Sequence, residues 1–294
     1  MSLEEFYNKN YKKLLVIPIV VFVLSIVYLT IFSLNHGDIL EKDVSLKGGV
    51  SATFYIDKEV GLEEIKSFLE KDLGSSDIFV RNLVGIESAQ NGYIVEASGV
   101  EADTIKSVLE RNLYVELTEE NLFIEETGSR LGEGFYREMI FALVIAFVLM
   151  GVVVLIIYRS LIPSMAIVFS ALFDIVVTVA LIDLFGIRIS AAGIAALVLI
   201  MGYSVDTDIL LTTRVLKIRE GGIWDRIRGA AKTGLTMSVT TFGAMLVAFI
   251  FSTSLVFRQM FLIIALGLVV DVIATYLMNT GILKMYMRRK YNEN

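Results

Sequence analysis

No cysteine occurs among the 294 residues, which rules out disulfides and thiolate metal sites while leaving the compartment open. Histidine is nearly as scarce. The single His36 cannot assemble a His-rich metal site, because such sites need several convergent ligands, and it reads as a solvated residue just past a helix end. No H-E-x-x-H segment is present for a zinc enzyme. Asp206 and Asp271 could pair as an aspartyl dyad, but the stretch Gly202 to Asp206 lacks the G-x-G-D spacing of an intramembrane protease, so no catalytic residue, cofactor or metal is expected. The first apolar run lacks an A-x-A-like cleavage site after it, and it reads as a span rather than a removable signal.

What the chain has in abundance is hydrocarbon. Hydrophobic residues make up 55% of it against 20% charged, and the mean hydropathy is +0.70. A soluble domain of this length would not keep that balance out of aggregates, so the chain is expected to be a membrane protein. The formal net charge of −6 is uneven, with acidic residues crowding one segment near the N-terminus and basic residues flanking the apolar runs. That distribution argues against nucleic acid as a partner.

Leu14 to Leu34 is almost uninterrupted hydrocarbon, and about 20 residues suffice to cross a bilayer. Lys9, Lys12 and Lys13 precede it, so the positive-inside rule predicts a cytoplasmic N-terminus and an extracytoplasmic following segment. Residues 1–34 thus form the N-terminus and first span, 35–138 one external domain, and 139–294 the remaining spans with a cytoplasmic C-terminus. Within the domain, Val50 to Ile56 alternates as a strand, Leu62 to Leu73 carries apolar residues at helical spacing, and Ile78 to Val84 reads as a second strand. The pattern repeats after the turn signal Asn91-Gly92, with a strand at Tyr93 to Ala97, a helix marked by Ile105, Val108 and Leu109, and a closing strand at Leu122 to Glu125. The order β-α-β-β-α-β is that of an α+β ferredoxin-like fold. Further spans are expected at Met139 to Tyr158, Ile162 to Leu184, from Ile189 onward, Leu235 to Phe251, and Phe257 to about Met285, giving a polytopic helical protein with six crossings. The basic segment Arg214 to Lys232, broken at Gly221-Gly222 with Trp224 as an interfacial anchor, and the tail Lys284, Arg288, Arg289, Lys290 then fall in the cytoplasm. The outer loops hold only Arg188 and Arg258.

Several of these features together resemble the SecF branch of the SecD/SecF family, within the resistance-nodulation-division (RND) superfamily. Leu46-Lys47-Gly48-Gly49 looks like the family's glycine pair at the base of the external domain. Tyr158-Arg159-Ser160 into Pro163 and Phe173-Asp174 is similar to its second-to-third helix passage. Met201-Gly202-Tyr203-Ser204 leading to Arg214 and Arg219-Glu220-Gly221 resembles its fourth-helix signature, and Ser238, Thr240 and Thr241 match a hydroxyl-rich patch in its fifth helix. A single external domain of about 100 residues favours SecF over SecD. One position departs from the pattern: the bacterial SecF signature places an aspartate where Thr207 stands, and SecD places one at Asp206, so the identity of the key acid stays open.

The resemblance implies a subunit that assists protein export through the Sec translocon channel, coupling proton motive force to late movement of the translocating polypeptide beside a homologous SecD-type partner in the cell membrane. The alternative is an RND half-unit exporting small molecules or lipids; it would carry a second large external domain, for which Ser252 to Phe257 leaves no room. The proton-relay candidates are Asp174, Asp206, Asp208 and Asp271, since ionisable groups deep in a span usually face a bundle interior or a watery path. Asp206 and Asp208 are two positions apart, hence on nearly opposite sides of one helix. Asp206 shares its stripe with Ala195, Leu199, Gly202 and Thr213, read as a narrow packing face, and is placed ahead of Asp208, whose stripe holds Leu197, Met201, Ser204 and Thr212. Both acids near the cytoplasmic interface is the competing reading. Asp174 and Asp271 are equally suited to interhelical hydrogen bonds with hydroxyls such as Ser238, Thr240 or Thr275. Gly48 and Gly49 are candidates for either a tight turn or a hinge.

Overall fold

The computed structural model describes residues 3–74, 77–83, 91–118, 120–218, 221–252 and 254–291. Arg219 and Glu220 of the arginine stretch, the strand end Val84 and the side chain of Lys290 lie outside the described residues. In chain order the elements are α1 (Leu3–His36), α2 (Val44–Lys47), β1 (Gly49–Ile56), α3 (Leu62–Leu73), β2 (Ile78–Leu83), β3 (Asn91–Ala97), α4 (Ala102–Leu113), β4 (Leu122–Thr127), α5 (Ser129–Tyr158), α6 (Leu161–Leu184), α7 (Ala191–Lys217), α8 (Ile223–Phe251), α9 (Leu255–Ile273), a π-helical segment Ala274–Asn279, and α10 (Thr280–Tyr291). They divide into two compact units. One comprises Lys42–Ile140 with Ile189–Ala191, and the other Met1–Glu41, Phe141–Arg188 and Ala192–Asn294.

The smaller unit is built on a four-stranded sheet in the order β2-β3-β1-β4, with every neighbouring pair antiparallel. This is the ferredoxin-like arrangement that the element order predicts. Alternation along β1 sends Val50, Ala52, Phe54 and Ile56 inward. Phe54 stands opposite Tyr93 of β3 and stacks on it at 5.5 Å, while the Tyr93 hydroxyl accepts a 2.8 Å hydrogen bond from the Val60 amide. Over this face α3 lays Ile65 and Leu69, and α4 lays Ile105, Val108, Leu109 and Leu113. Each such side chain contributes about 1.5–3 kcal/mol on full burial. The two helices are braced at their ends by Asp72, which accepts from Arg111 and, at 3.0 Å, from Asn112. Those donors hold the Asp72 carboxyl below the usual carboxylate range, the Asn112 amide first and the guanidinium next.

At the root of this unit the backbone comes unusually close to itself. Gly48 (φ +84°) and Gly49 (φ +143°) adopt conformations that L side chains rarely take; a Cβ on Gly48 would overlap Ser129 at the start of α5, and one on Gly49 would overlap the Ala97 carbonyl. From the other side, a Cβ on Gly132 would sit 2.7 Å from the Gly48 amide nitrogen. Close packing and positive φ thus explain why both positions take glycine.

In the larger unit, six helices of the chain are long and apolar enough to cross a membrane: Lys9–His36, Ser129–Tyr158, Leu161–Leu184, Ala191–Lys217, Ile223–Phe251 and Val256–Arg289. The number matches the six expected runs, but helix ends do not coincide with hydropathy ends. α5 begins at Ser129 rather than Met139, and α8 at Ile223 rather than Leu235. Hydropathy marks where hydrocarbon begins, whereas a helix satisfies its own backbone in water and lipid alike and continues through Arg130, Arg137, Arg226 and Lys232. The break at Gly221-Gly222 is present: Gly221 has φ +72°, and the Gly222 amide donates to Asp225 Oδ2 at 3.2 Å to start α8. Trp224 packs on Tyr7 at 5.5 Å. Half or more of the hydrophobic window in α6, α7 and the last span is buried, against about a tenth or less in α1, α5 and α8, so the first three form the interior of the unit.

Segment 42–127, expressed alone, is expected to unfold in one cooperative thermal transition, and Phe54→Ala in it to cost about 3–5 kcal/mol. A thermal scan followed by circular dichroism measures the first and chemical denaturation the second. A random-coil spectrum for the unsubstituted segment would show that its core is not self-sufficient.

Candidate functional site

Three of the four candidate carboxylates meet in the interior of the larger unit. Asp174 on α6, Asp208 on α7 and Asp271 on α9 are all essentially inaccessible to solvent. The first lies about 20 Å from the start of its helix, the second about 26 Å and the third about 24 Å at 1.5 Å per residue.

Hydroxyl and amide groups join them. Ser204 on α7 donates to Asp174 Oδ2. One turn on, the Thr207 hydroxyl has a single proton and three acceptors in range: the Ser204 carbonyl at 2.8 Å and the two Asp271 oxygens at 3.2 and 3.4 Å. Thr275 donates to Asp271 Oδ1 at 3.1 Å from the far side. Asn279 Nδ2 donates to Asp208 Oδ1 at 2.6 Å. Among the described residues, no lysine or arginine pairs with any of the three carboxylates, and Asp174 Oδ1, Asp208 Oδ2 and Asn279 Oδ1 have no hydrogen-bond partner.

The π-helical segment is what brings two of these donors in. Its wider turn bonds the Thr280 amide to the Thr275 carbonyl, and the Thr280 hydroxyl reinforces the same carbonyl at 2.9 Å. Thr275 and Asn279 follow Asp271 at steps of four, near the 4.4 residues per turn of a π-helix, so all three face α7. Such single π turns inside α-helices are frequent at functional sites.

The structure separates the two acids of α7 by burial. Asp206 is exposed on the surface of the unit and Asp208 is fully buried. The small-residue stripe faces outward, with Leu199 and Gly202 exposed beside Asp206, while Leu197, Met201, Ser204 and Thr212 turn inward with Asp208. The reason is the shape of the neighbours: α6 and α9 offer Asp174 and Asp271, and a helix with polar groups on two sides buries the side that finds partners. The fifth-span hydroxyls also stand apart from the acids. Thr240 is exposed and bonds backbone carbonyls of its own helix at 2.9 Å, Thr241 donates to the Tyr203 hydroxyl at 3.1 Å, and Ser238 Oγ is buried with no partner among the described residues. Their expected place is taken by Ser204, Thr207 and Asn279. Among the described residues, no three His, Asp or Glu are arranged to hold a metal ion.

Comparison with known proteins fits this arrangement into a family. The C-terminal family of SecD/SecF protein-export membrane proteins matches residues 108–289. The chain belongs to the SecD/SecF family. It is 34% identical to the protein-export membrane protein SecF of Methanolacinia petrolearia over 95% of this chain and 94% of that one. The SecF of Methanothermobacter thermautotrophicus gives 34% over 95% and 93%. The chain is thus a SecF-type protein-export membrane subunit and a multi-pass membrane protein. Its fold is similar to that of SecDF, a translocon-associated membrane protein from Thermus thermophilus, with a TM-score of 0.76 at 19% identity; the match covers 96% of this chain and 38% of that one.

Removing the amide that serves Asp208 should be costly. Asn279→Ala is expected to destabilise the detergent-solubilised protein by about 1–3 kcal/mol, the cost of orphaning a buried polar group. Thr240→Ala should stay within about 0.5 kcal/mol, as surface changes do. Thermal unfolding of the two variants side by side reads the difference, and equal shifts would mean that the Asp208–Asn279 bond carries no weight.

Proposed function

We propose that this subunit couples proton motive force to late steps of polypeptide translocation through the Sec channel, with Asp174, Asp208 and Asp271 as the groups that take up and release protons. The observation that carries this reading is the cluster itself: three buried carboxyls on three helices, two of them held by hydroxyls and one by an amide, with no lysine or arginine paired to them among the described residues. Titratable carboxyls placed next to other hydrogen-bonding groups in a span usually mark a proton or ion path. Thr207 lies within hydrogen-bond reach of both Asp271 oxygens and so orients that carboxyl.

A homologous SecD-type partner is part of the reading. Asp206 and Gly202 of α7, with Lys232, Thr236 and Thr240 of α8, are exposed on spanning helices. A carboxylate facing lipid costs about 2.5–3.5 kcal/mol or more at mid-span, whereas a partner helix with polar groups would cover this face and use the close approach that Gly202 allows. Asp206 thereby becomes a contact residue and Asp208 the relay residue. In this arrangement both termini are cytoplasmic and the sheet domain is extracytoplasmic, where the exported polypeptide emerges.

Export of a reporter preprotein in cells depleted of the native chain tests the relay. Asp208→Asn, which keeps size and polarity but removes the titrating proton, is expected to lower export at least tenfold with partner association intact by co-purification. Asp206→Asn should leave the relay working and weaken association instead. Full export by Asp208→Asn across a range of external pH removes this residue from any proton path.

Orientation has its own readout, because the native chain contributes no cysteine background. A cysteine at the exposed Tyr114 should react with an impermeant maleimide from outside, and one at the exposed Lys217 should not. The reverse pattern would invert the topology.

A further inference from the structure

On the surface of the larger unit, α6 and α10 enclose an open groove of about 400 Å³. Its floor is a helical stripe: Leu161, Met165 and Phe169 follow one another at steps of four along α6, with Ile162 and Ala166 beside them and Ile282 of α10 across. Every lining side chain is hydrocarbon or thioether, and Leu161, Ile162, Met165 and Phe169 are exposed. From Leu161 to Phe169 the stripe runs about 12 Å at 1.5 Å per residue, most of the depth of one leaflet in a core about 30 Å thick. At Phe169, the lining residue farthest from the start of α6, the ring of Phe22 from α1 packs edge-on at 5.1 Å.

The other end of the groove is polar and cationic. Ser160, just before α6, and Tyr286 of α10 join their hydroxyls at 3.1 Å and so bridge the two walls. Arg289 follows Ile282 by seven residues, which brings it back to within about 20° of the same face and about 10 Å further along, and it is exposed. Arg159 is exposed at the turn between α5 and α6, with φ +48°. Glycine holds such a left-handed position at no steric cost, and here an arginine holds it. On α1, which presses Leu15 against Gly281, Lys12 and Lys13 are exposed about one turn earlier. Glu4 and Glu5 lie at the tip of the same helix, about two turns before Lys12.

We infer that this groove is a binding site for one acidic phospholipid, with an acyl chain lying along Leu161, Met165 and Phe169 and the anionic headgroup held by Arg159 and Arg289. The order of chemistry along the groove is that of the lipid: hydrocarbon, then hydroxyls at the level of the glycerol, then positive charge. Basic pockets between spanning helices hold anionic headgroups in this way. Basic residues flanking a span anchor it at any membrane surface, but these two arginines stand at the end of a concave apolar trough, so shape and charge select the same molecule. The site is independent of the proposed relay, and the orientation of the chain decides only which leaflet supplies the lipid.

Native mass spectrometry of the full-length chain, released from detergent micelles holding equal amounts of dioleoyl phosphatidylglycerol and dioleoyl phosphatidylcholine, tests the site. The wild-type chain is expected to retain phosphatidylglycerol about tenfold over phosphatidylcholine, the scale that two headgroup-facing arginines supply. Arg159→Gln with Arg289→Gln should bring the two lipids to about equal retention. Arg228→Gln, which removes a charge from an exposed position of α8 outside the groove lining, should leave the preference unchanged. Met165→Trp and, separately, Leu161→Trp fill the trough from exposed positions, and each should lower phosphatidylglycerol retention several-fold with thermal unfolding in detergent unaltered. Equal retention of the two lipids by the wild-type chain, or the same loss in Arg228→Gln as in the double variant, would make the arginines ordinary membrane anchors. Undiminished retention in both tryptophan variants would put the lipid elsewhere, and loss of co-purifying membrane proteins from them with lipid retention intact would make the groove a protein interface. Each of these results overturns the inference.

Discussion

A carboxylate moved from water into hydrocarbon loses more solvation than any one hydrogen bond returns, and that imbalance decides where the polar residues of the spanning unit lie. Asp174, Asp208 and Asp271 are turned toward one another's hydroxyl neighbours. Arg188, nearly buried, is matched with Glu41 at 2.9 Å. The last carbonyls of α7, which have no intrahelical donors, receive Arg226 at 3.1 Å to Val215 and 2.8 Å to Ile218. Tyr158 reaches from α5 to the Ile209 carbonyl at 2.9 Å. Asp206 stands apart from this pattern: a carboxylate on a spanning helix, left on the outside.

The sheet domain was readable from sequence nearly to the residue, because most of its elements turn one face to the core and the other to solvent. Val50, Ala52, Phe54 and Ile56 alternate for that reason, and Ile65 and Leu69 recur one turn apart for the same reason. The spanning unit is read less completely. Its helices are apolar on every side, so hydropathy counts them without saying which face turns inward. The expectation for Asp206 rested on small neighbours marking a packing face; the stripe does carry small residues, but it faces out of the chain, and nothing local distinguishes packing within a chain from packing between chains. Thr207 and Asn279 carry no signature of their own, since hydroxyls and amides are common in spanning helices, and the π turn that aims Asn279 has no sequence signal at all.

The domain root shows how far apart in sequence the partners of one small structure can be. Residues near 45, 130 and 190 meet there, and each contributes something the others lack: the hydroxyl of Ser45, a glycine surface at Gly132 and the Ala191 amide that donates to Ser45 Oγ. None of the three stretches suggests the others by composition, and only Gly48-Gly49 announces a conformational demand.

The wide turn at Ala274–Asn279 has a consequence for everything after it. An α-helix advances by about 100° per residue, so a residue absorbed into a π turn sets the following segment back by roughly that angle relative to an unbroken helix. The last span therefore carries two phases of the same face. Before the turn, Asp271 addresses α7; after it, Gly281 is pressed against Leu15 and Lys284 lies over the rings of Tyr7 and Tyr11 at 4.6 and 4.7 Å, so the end of the helix is keyed to α1 instead. Taking one residue out of that turn would bring both halves into a single phase. Either the acid or the lysine would then lose its neighbours, since no straight helix of this sequence can serve both.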